Sequence, residues 1–137
     1  AKLYSGGFYA LAARRLARSG ALVTQATSPY FAREAFWSIE RTIAGAVDGE
    51  ELQPLVTHPY HVHVPSFGEW GFVLAAFGEL AVDHFTVTVP PRCRVPRPRP
   101  ASVACPRALH PVEFAPNPRD TPVPPRLYQR GWDRFNQ

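Results

Sequence analysis

Apolar and polar positions are most sharply patterned from Tyr60 to Ala76, in Tyr-His-Val-His-Val-Pro-Ser-Phe-Gly-Glu-Trp-Gly-Phe-Val-Leu-Ala-Ala. Strict alternation from Tyr60 to Val64 predicts a strand, with Val62 and Val64 on one face and His61 and His63 on the other. Pro65-Ser66-Phe67-Gly68 breaks the pattern with turn residues. Trp70 to Ala76 is almost continuously apolar, which predicts a second strand covered on both faces. A hairpin alone is marginal in water, so other elements must cover it.

The sequence ahead of the hairpin supplies them. Ser5 is a candidate N-cap for a helix from about Gly7 to Arg18, with Phe8, Leu11, Ala12 and Leu16 as its apolar stripe. Arg14, Arg15 and Arg18 suit the negative end of its dipole, and Gly20 suits a left-handed terminator. Ala21 to Ala26 reads as a short buried strand, and Thr27-Ser28-Pro29-Tyr30 as a turn. A second helix is predicted over Ala32–Val47, with Phe36, Ile39, Ile43 and Val47 inward, stopped by Asp48-Gly49. Leu52 to Thr57 leads into the hairpin.

Helix, strand, helix, hairpin is the order of an α/β chain. It predicts the C-terminal half of an open sheet with parallel strands, the hairpin adding an antiparallel strand at its end. Ligands of such sheets bind at the carboxyl ends of the strands. Gln25–Tyr30 and Pro65–Trp70 are therefore the stretches to watch.

Beyond Ala76 the pattern dissolves. Twelve of the sixteen prolines lie between Pro90 and Pro125, removing backbone donors and fixing φ, so residues 78–125 are expected to be irregular and extended. Residues 126–137 regain aromatics and read as a docking segment. This divides the chain into 1–77, 78–125 and 126–137. Charge follows the same division. Residues 1–89 carry six basic and eight acidic side chains, and residues 90–137 nine and three. The basic pI of about 9.5 thus belongs to the tail, which lacks the interleaved aromatics of single-strand binders, and no nucleic-acid partner is expected. Cys93 and Cys105 are compatible with a disulfide or with two free thiols, since spacing fixes no bridge. The chain opens at Ala1 without any Met and is expected to be part of a longer protein. No apolar run is long enough to span a membrane, so the chain by itself is expected to be soluble.

Four blocks resemble the polyamine aminopropyltransferase (spermidine synthase) family. They are Lys2-Leu3-Tyr4 with Phe8-Tyr9, Gln25-Ala26-Thr27-Ser28-Pro29-Tyr30-Phe31, Glu34-Ala35-Phe36-Trp37-Ser38-Ile39, and Tyr60 through Ala75. The Val-Pro-Ser-Phe-Gly-Glu-Trp-Gly-Phe version is similar to the bacterial membrane-associated branch, whose transmembrane helices precede the catalytic domain. The resemblance covers residues 1–77 and implies a Rossmann-like, methyltransferase-type fold. It implies transfer of the aminopropyl group of decarboxylated S-adenosylmethionine, a co-substrate, to putrescine. No metal or resident cofactor is implied. Membrane attachment would come only through helices ahead of this chain. The catalytic Asp-x-x-Asp-Pro loop would fall before Ala1, so no catalytic residue is assigned.

By position, Gln25 matches the glutamine that contacts the polyamine. Phe67 stands where soluble members usually have a polyamine-contacting tyrosine, and it lacks the hydroxyl. Glu69 and Trp70 are added on chemical grounds, as a carboxylate beside an aromatic wall suits a dication. The alternative reading is a solvated turn glutamate and a core tryptophan. His61 and His63, with His58 nearby, form a His-x-His pattern that can hold a metal, but no third ligand is evident and strand histidines are the simpler reading. A methyltransferase fragment and a non-catalytic basic-tailed remnant are the alternative functions. The family-like ending at Arg126–Trp132 also suggests that the stretch from Gly78 to Pro125 is partly translated in a shifted frame. An isolated half-sheet exposes an edge, which favours a homodimer or other self-association.

Overall fold

A computed structural model describes residues 2–47, 53–80 and 124–135. The Pro/Arg-rich stretch from residue 81 to 123, with Cys93, Cys105 and most of the suspected frame shift, lies outside these. So does the Asp48-Gly49 helix stop. After a 3-10 turn at Lys2–Tyr4 come α1 (Gly6–Arg15), β1 (Ala21–Gln25), α2 (Arg33–Ala44), β2 (Val56–Val64), β3 (Gly68–Ala76) and α3 (Pro124–Phe135).

Ser5 caps α1 as expected, its hydroxyl accepting from the Phe8 amide at 3.3 Å. The inward face differs from the predicted stripe. Tyr9 and Ala13 are buried, whereas Leu11 is 64% exposed and Phe8 38%. The difference is one of rotation about the helix axis: Phe8 and Leu11 look away from the sheet. Gly20 does not take the left-handed conformation. Its amide instead closes a turn on the Ala17 carbonyl at 2.8 Å.

The α2 stripe is as predicted, with Phe36, Ile39 and Ile43 all inside. The helix ends three residues early, at Ala44, and the Gly45 amide caps it. Val47 instead forms an isolated bridge with Pro54. Ala35, Trp37, Ser38 and Thr42 are buried too: Trp37 joins the main core, and Ala35 clusters with Leu127 of α3, which packs on α2.

The sheet has three strands in the order β1-β3-β2, and both pairings are antiparallel. The predicted adjacent parallel strands are absent among the described residues. β1 and β2 do run in the same direction, but β3 is inserted between them rather than added at the end. The hairpin tip follows its sequence. Phe67 donates to the Val64 carbonyl at 2.9 Å, and Gly68 at φ +72° takes the left-handed conformation that such a loop requires. Pro59 sits in β2 opposite Val73, tolerated because β2 is an edge strand.

One face of the sheet is covered. Val73 and Ala75 pack there with Tyr9, Phe36 and Ile43, each fully buried large side chain contributing about 1.5–3 kcal/mol. The opposite face, with Val23 at 52% exposure and Val62 at 39%, is covered by no element among the described residues. Phe72 and Leu74 on it are half-buried, which corrects the expectation of a strand covered on both sides. β1 is likewise only half-buried. No helix among the described residues is long and apolar enough to cross a membrane.

Candidate functional site

The antiparallel insertion of β3 brings the carboxyl ends of β1 and β2 to one edge, beside the start of β3. Register fixes their relation: Gln25 is opposite Phe72, and Val64 is opposite Gly68. The hairpin tip therefore projects beyond the end of β1. Gly71 allows the chain after β1 to follow it. Its amide donates to the Thr27 carbonyl at 2.7 Å, and a side chain there would strike that oxygen and the Phe36 ring.

A cleft of about 320 Å³ opens between the post-β1 turn, the hairpin tip and α3. Thr27, Ser28 and Phe31 line it from the turn, and Ser66, Phe67 and Trp70 from the hairpin. Tyr128 and Trp132 close it from α3. Five of these eight side chains are aromatic, and none is charged.

Two polar atoms of the lining residues lack partners. The Thr27 hydroxyl and the Trp70 indole nitrogen are buried without a hydrogen bond. Such groups cost about 1–3 kcal/mol each when left unsatisfied. Thr27 is also held at φ +65°, the left-handed region, which a β-branched residue rarely adopts. Strain and unmet polarity coincide at one residue at the carboxyl end of a strand. Ser28, by contrast, is used internally: its hydroxyl accepts from the Tyr30 and Phe31 amides at 3.3 and 3.4 Å and turns the chain into α2.

Of the four residues singled out from sequence, Phe67 and Trp70 are brought together, their rings edge-to-face at 5.8 Å. Gln25 is exposed at the end of β1, two residues before Thr27, and is not among the residues lining the cleft. Glu69 and Trp70, expected side by side, leave β3 on opposite faces. The Glu69 carboxylate is instead gripped by two imidazoles of β2, accepting from His61 Nδ1 at 2.7 Å and His63 Nδ1 at 3.0 Å. The hydrogen bond from His61 is the main cause of a carboxyl pKa held below its ordinary value. His61 also meets the edge of the Tyr30 ring at 6.1 Å.

The third group missing from the His-x-His pattern is thus Glu69, and it joins the histidines as a hydrogen-bonding clasp. His58 alternates to the other face. Among the described residues no group of three His, Cys, Asp or Glu side chains is arranged to hold a metal ion.

Thr27, Phe31, Tyr128 and Trp132 are site residues that sequence reasoning did not name. The stretch containing Thr27 was marked by its place at a strand end, and the aromatics of residues 126–137 were marked as a docking segment. Nothing local in the sequence joined the two.

No family model matches the chain. Among curated proteins, a polyamine aminopropyltransferase of Mycobacterium tuberculosis is 38% identical over 134 residues, covering 96% of this chain and 24% of that protein. One from Oceanobacillus iheyensis is 35% identical over 138 residues, covering 98% and 26%. Polyamine aminopropyltransferase 2 of Ralstonia nicotianae is 51% identical over 77 residues, 56% of this chain and 14% of that protein. The chain thus spans about a quarter of the length of the first two relatives. With identity at this level running through nearly its whole extent, the chain belongs to the polyamine aminopropyltransferase family.

Proposed function

We propose that this chain is the C-terminal, amine-binding part of an aminopropyltransferase that makes spermidine from putrescine and decarboxylated S-adenosylmethionine. In that reaction the lone pair of a neutral amine attacks the propyl carbon next to the sulfonium. The carbon–sulfur bond breaks, methylthioadenosine leaves with the electron pair, and the new secondary ammonium loses its proton. The catalytic task is to place one neutral amine in line with that carbon and hold the other end of the diamine.

The observation that carries this reading is the cleft at the carboxyl ends of β1 and β2, with its unpartnered Thr27 hydroxyl and Trp70 indole N–H. A neutral amine has both a lone pair and N–H bonds, so it can accept from the indole and donate to the hydroxyl. Phe67 packs against the methylene chain. Gln25, at the strand end just outside, offers a side-chain oxygen to an N–H of the diamine. Glu69 acts through His61 and His63 to fix the hairpin tip that carries Phe67 and Trp70. The order β1-β3-β2, a late antiparallel strand between two co-directional ones, supports a Rossmann-like, methyltransferase-type sheet. Its remaining strands, the base and the nucleotide site would lie upstream, behind membrane-spanning helices.

The test is product mass. Incubated with putrescine and decarboxylated S-adenosylmethionine, the full-length protein should yield a triamine heavier than putrescine by one aminopropyl group. Gain of a single methyl from S-adenosylmethionine would establish a methyltransferase instead, and no product from either would remove the enzyme reading.

A further inference from the structure

We propose that α3 is a specificity element of the amine cleft, seated by Gly131, and that Tyr128 and Trp132 hold an alkylammonium group by their aromatic rings. The inference rests on the amine reading of the cleft and adds a determinant from a segment remote in sequence from the strands.

Three contacts seat the helix. Leu127 is 2% exposed and clusters with Ala32 and Ala35 at the start of α2. Arg130 Nη2 lies 3.5 Å from Glu34 Oε2. Gly131 packs directly on the backbone: a Cβ there would overlap the Phe31 carbonyl oxygen and come within 3.1 Å of the Ala32 Cα. The obstacles are main-chain atoms at a helix entrance, which cannot yield as a flexible side chain would. Gly in mid-helix costs about 1 kcal/mol relative to Ala, a cost this close approach explains.

The seat sets the wall. Trp132, adjacent to Gly131, stacks on Phe31 with centroids 6.1 Å apart and planes 18° from parallel. Tyr128 meets the same indole edge-on at 6.1 Å. Both line the cleft with Phe67 and Trp70, and no lining residue is charged. An ammonium in such surroundings is recognised through ring quadrupoles rather than by an ion pair. Because a ligand touching these rings binds only the docked form of α3, ligand binding and helix docking must be linked, each strengthening the other by the same factor.

Three variants of the full chain, Gly131→Ala, Trp132→Ala and Trp132→Phe, test this by titration calorimetry with putrescine and with neutral 1,4-butanediol. Amide exchange across residues 124–135 is followed in parallel. Putrescine should bind the unaltered chain in preference to the diol and slow exchange in α3. Gly131→Ala should speed that exchange and weaken putrescine binding by about tenfold or more, Trp132→Ala should weaken it by about three- to thirtyfold, and Trp132→Phe should retain most of it. If the unaltered chain binds putrescine and all three variants bind it equally, α3 is no specificity element, while the amine reading stands. Equal binding of diol and diamine overturns the role of the ammonium. No binding of putrescine by the unaltered chain overturns the inference together with the amine reading of the cleft.

Discussion

Thr27 joins a strained backbone to an unmet hydroxyl, and the two effects can be separated by substitution. Gly accepts φ +65° without steric cost, so Thr27→Gly should stabilise the fold by about 1 kcal/mol. The same change deletes the hydroxyl and should weaken amine binding. Denaturant melts and putrescine titrations of one variant would show the opposed signs, and a parallel loss of both would mean that the strain has no functional counterpart. Tyr9 offers a second residue-scale test. Its ring is wholly buried, its hydroxyl lies 3.3 Å from Thr24 Oγ1, and burial pushes its pKa from 10.0 up to about 12. The folded state therefore retains a proton that the unfolded state loses first. Its contribution is complete below pH 10 and is lost as pH rises towards 12. Tyr9→Phe should flatten that alkaline loss of stability, read from melting temperature against pH.

At the scale of elements, the hairpin is held by its turn and by the clasp of His61 and His63 on Glu69. The depressed carboxyl pKa gives the sign of its pH response. The clasp contributes fully above the ordinary value of 4.5 and weakens as pH falls through the lowered value. Glu69→Gln should remove this acid-side dependence and, by loosening the tip, raise the KM for diamine, with kcat less affected. An unchanged KM would confine Glu69 to stability alone. The His/Val alternation, the turn at Pro65–Gly68 and the α2 stripe were legible because each expresses a local period or a local turn preference. The α1 face was not. Tyr9 carries a hydroxyl that makes it look less inward than Phe8 or Leu11, yet Thr24 provides that hydroxyl with a partner. Glu69 and Trp70 are neighbours in sequence but not in space, because successive side chains of a strand point to opposite faces. Trp132 could not be joined to Phe31 from sequence, since contacts between residues a hundred positions apart leave no periodic trace.

At the scale of the whole molecule, the sheet as far as it is described has two edges, β1 and β2, without a partner among the described residues, and one face on which Val23 and Val62 stay exposed. Edges and apolar faces of this kind are templates for association, and they are where the rest of an aminopropyltransferase sheet would attach. The expected homodimer and the upstream strands proposed above would compete for the same surfaces. The position of β3 has a further consequence, for the order in which the molecule assembles. Ala21 of β1 pairs with Ala76 at the far end of β3, so among the described strands β1 emerges during synthesis long before the one that pairs with it. α2 and β2 must follow first, and the closure entropy of that long loop is paid in one step. The β2–β3 hairpin, whose own loop is short, can form by itself and then capture β1. The last of the described strands to be made is thus the one that joins the other two, and a chain stalled before Gly68 would hold β1 and β2 with nothing between them.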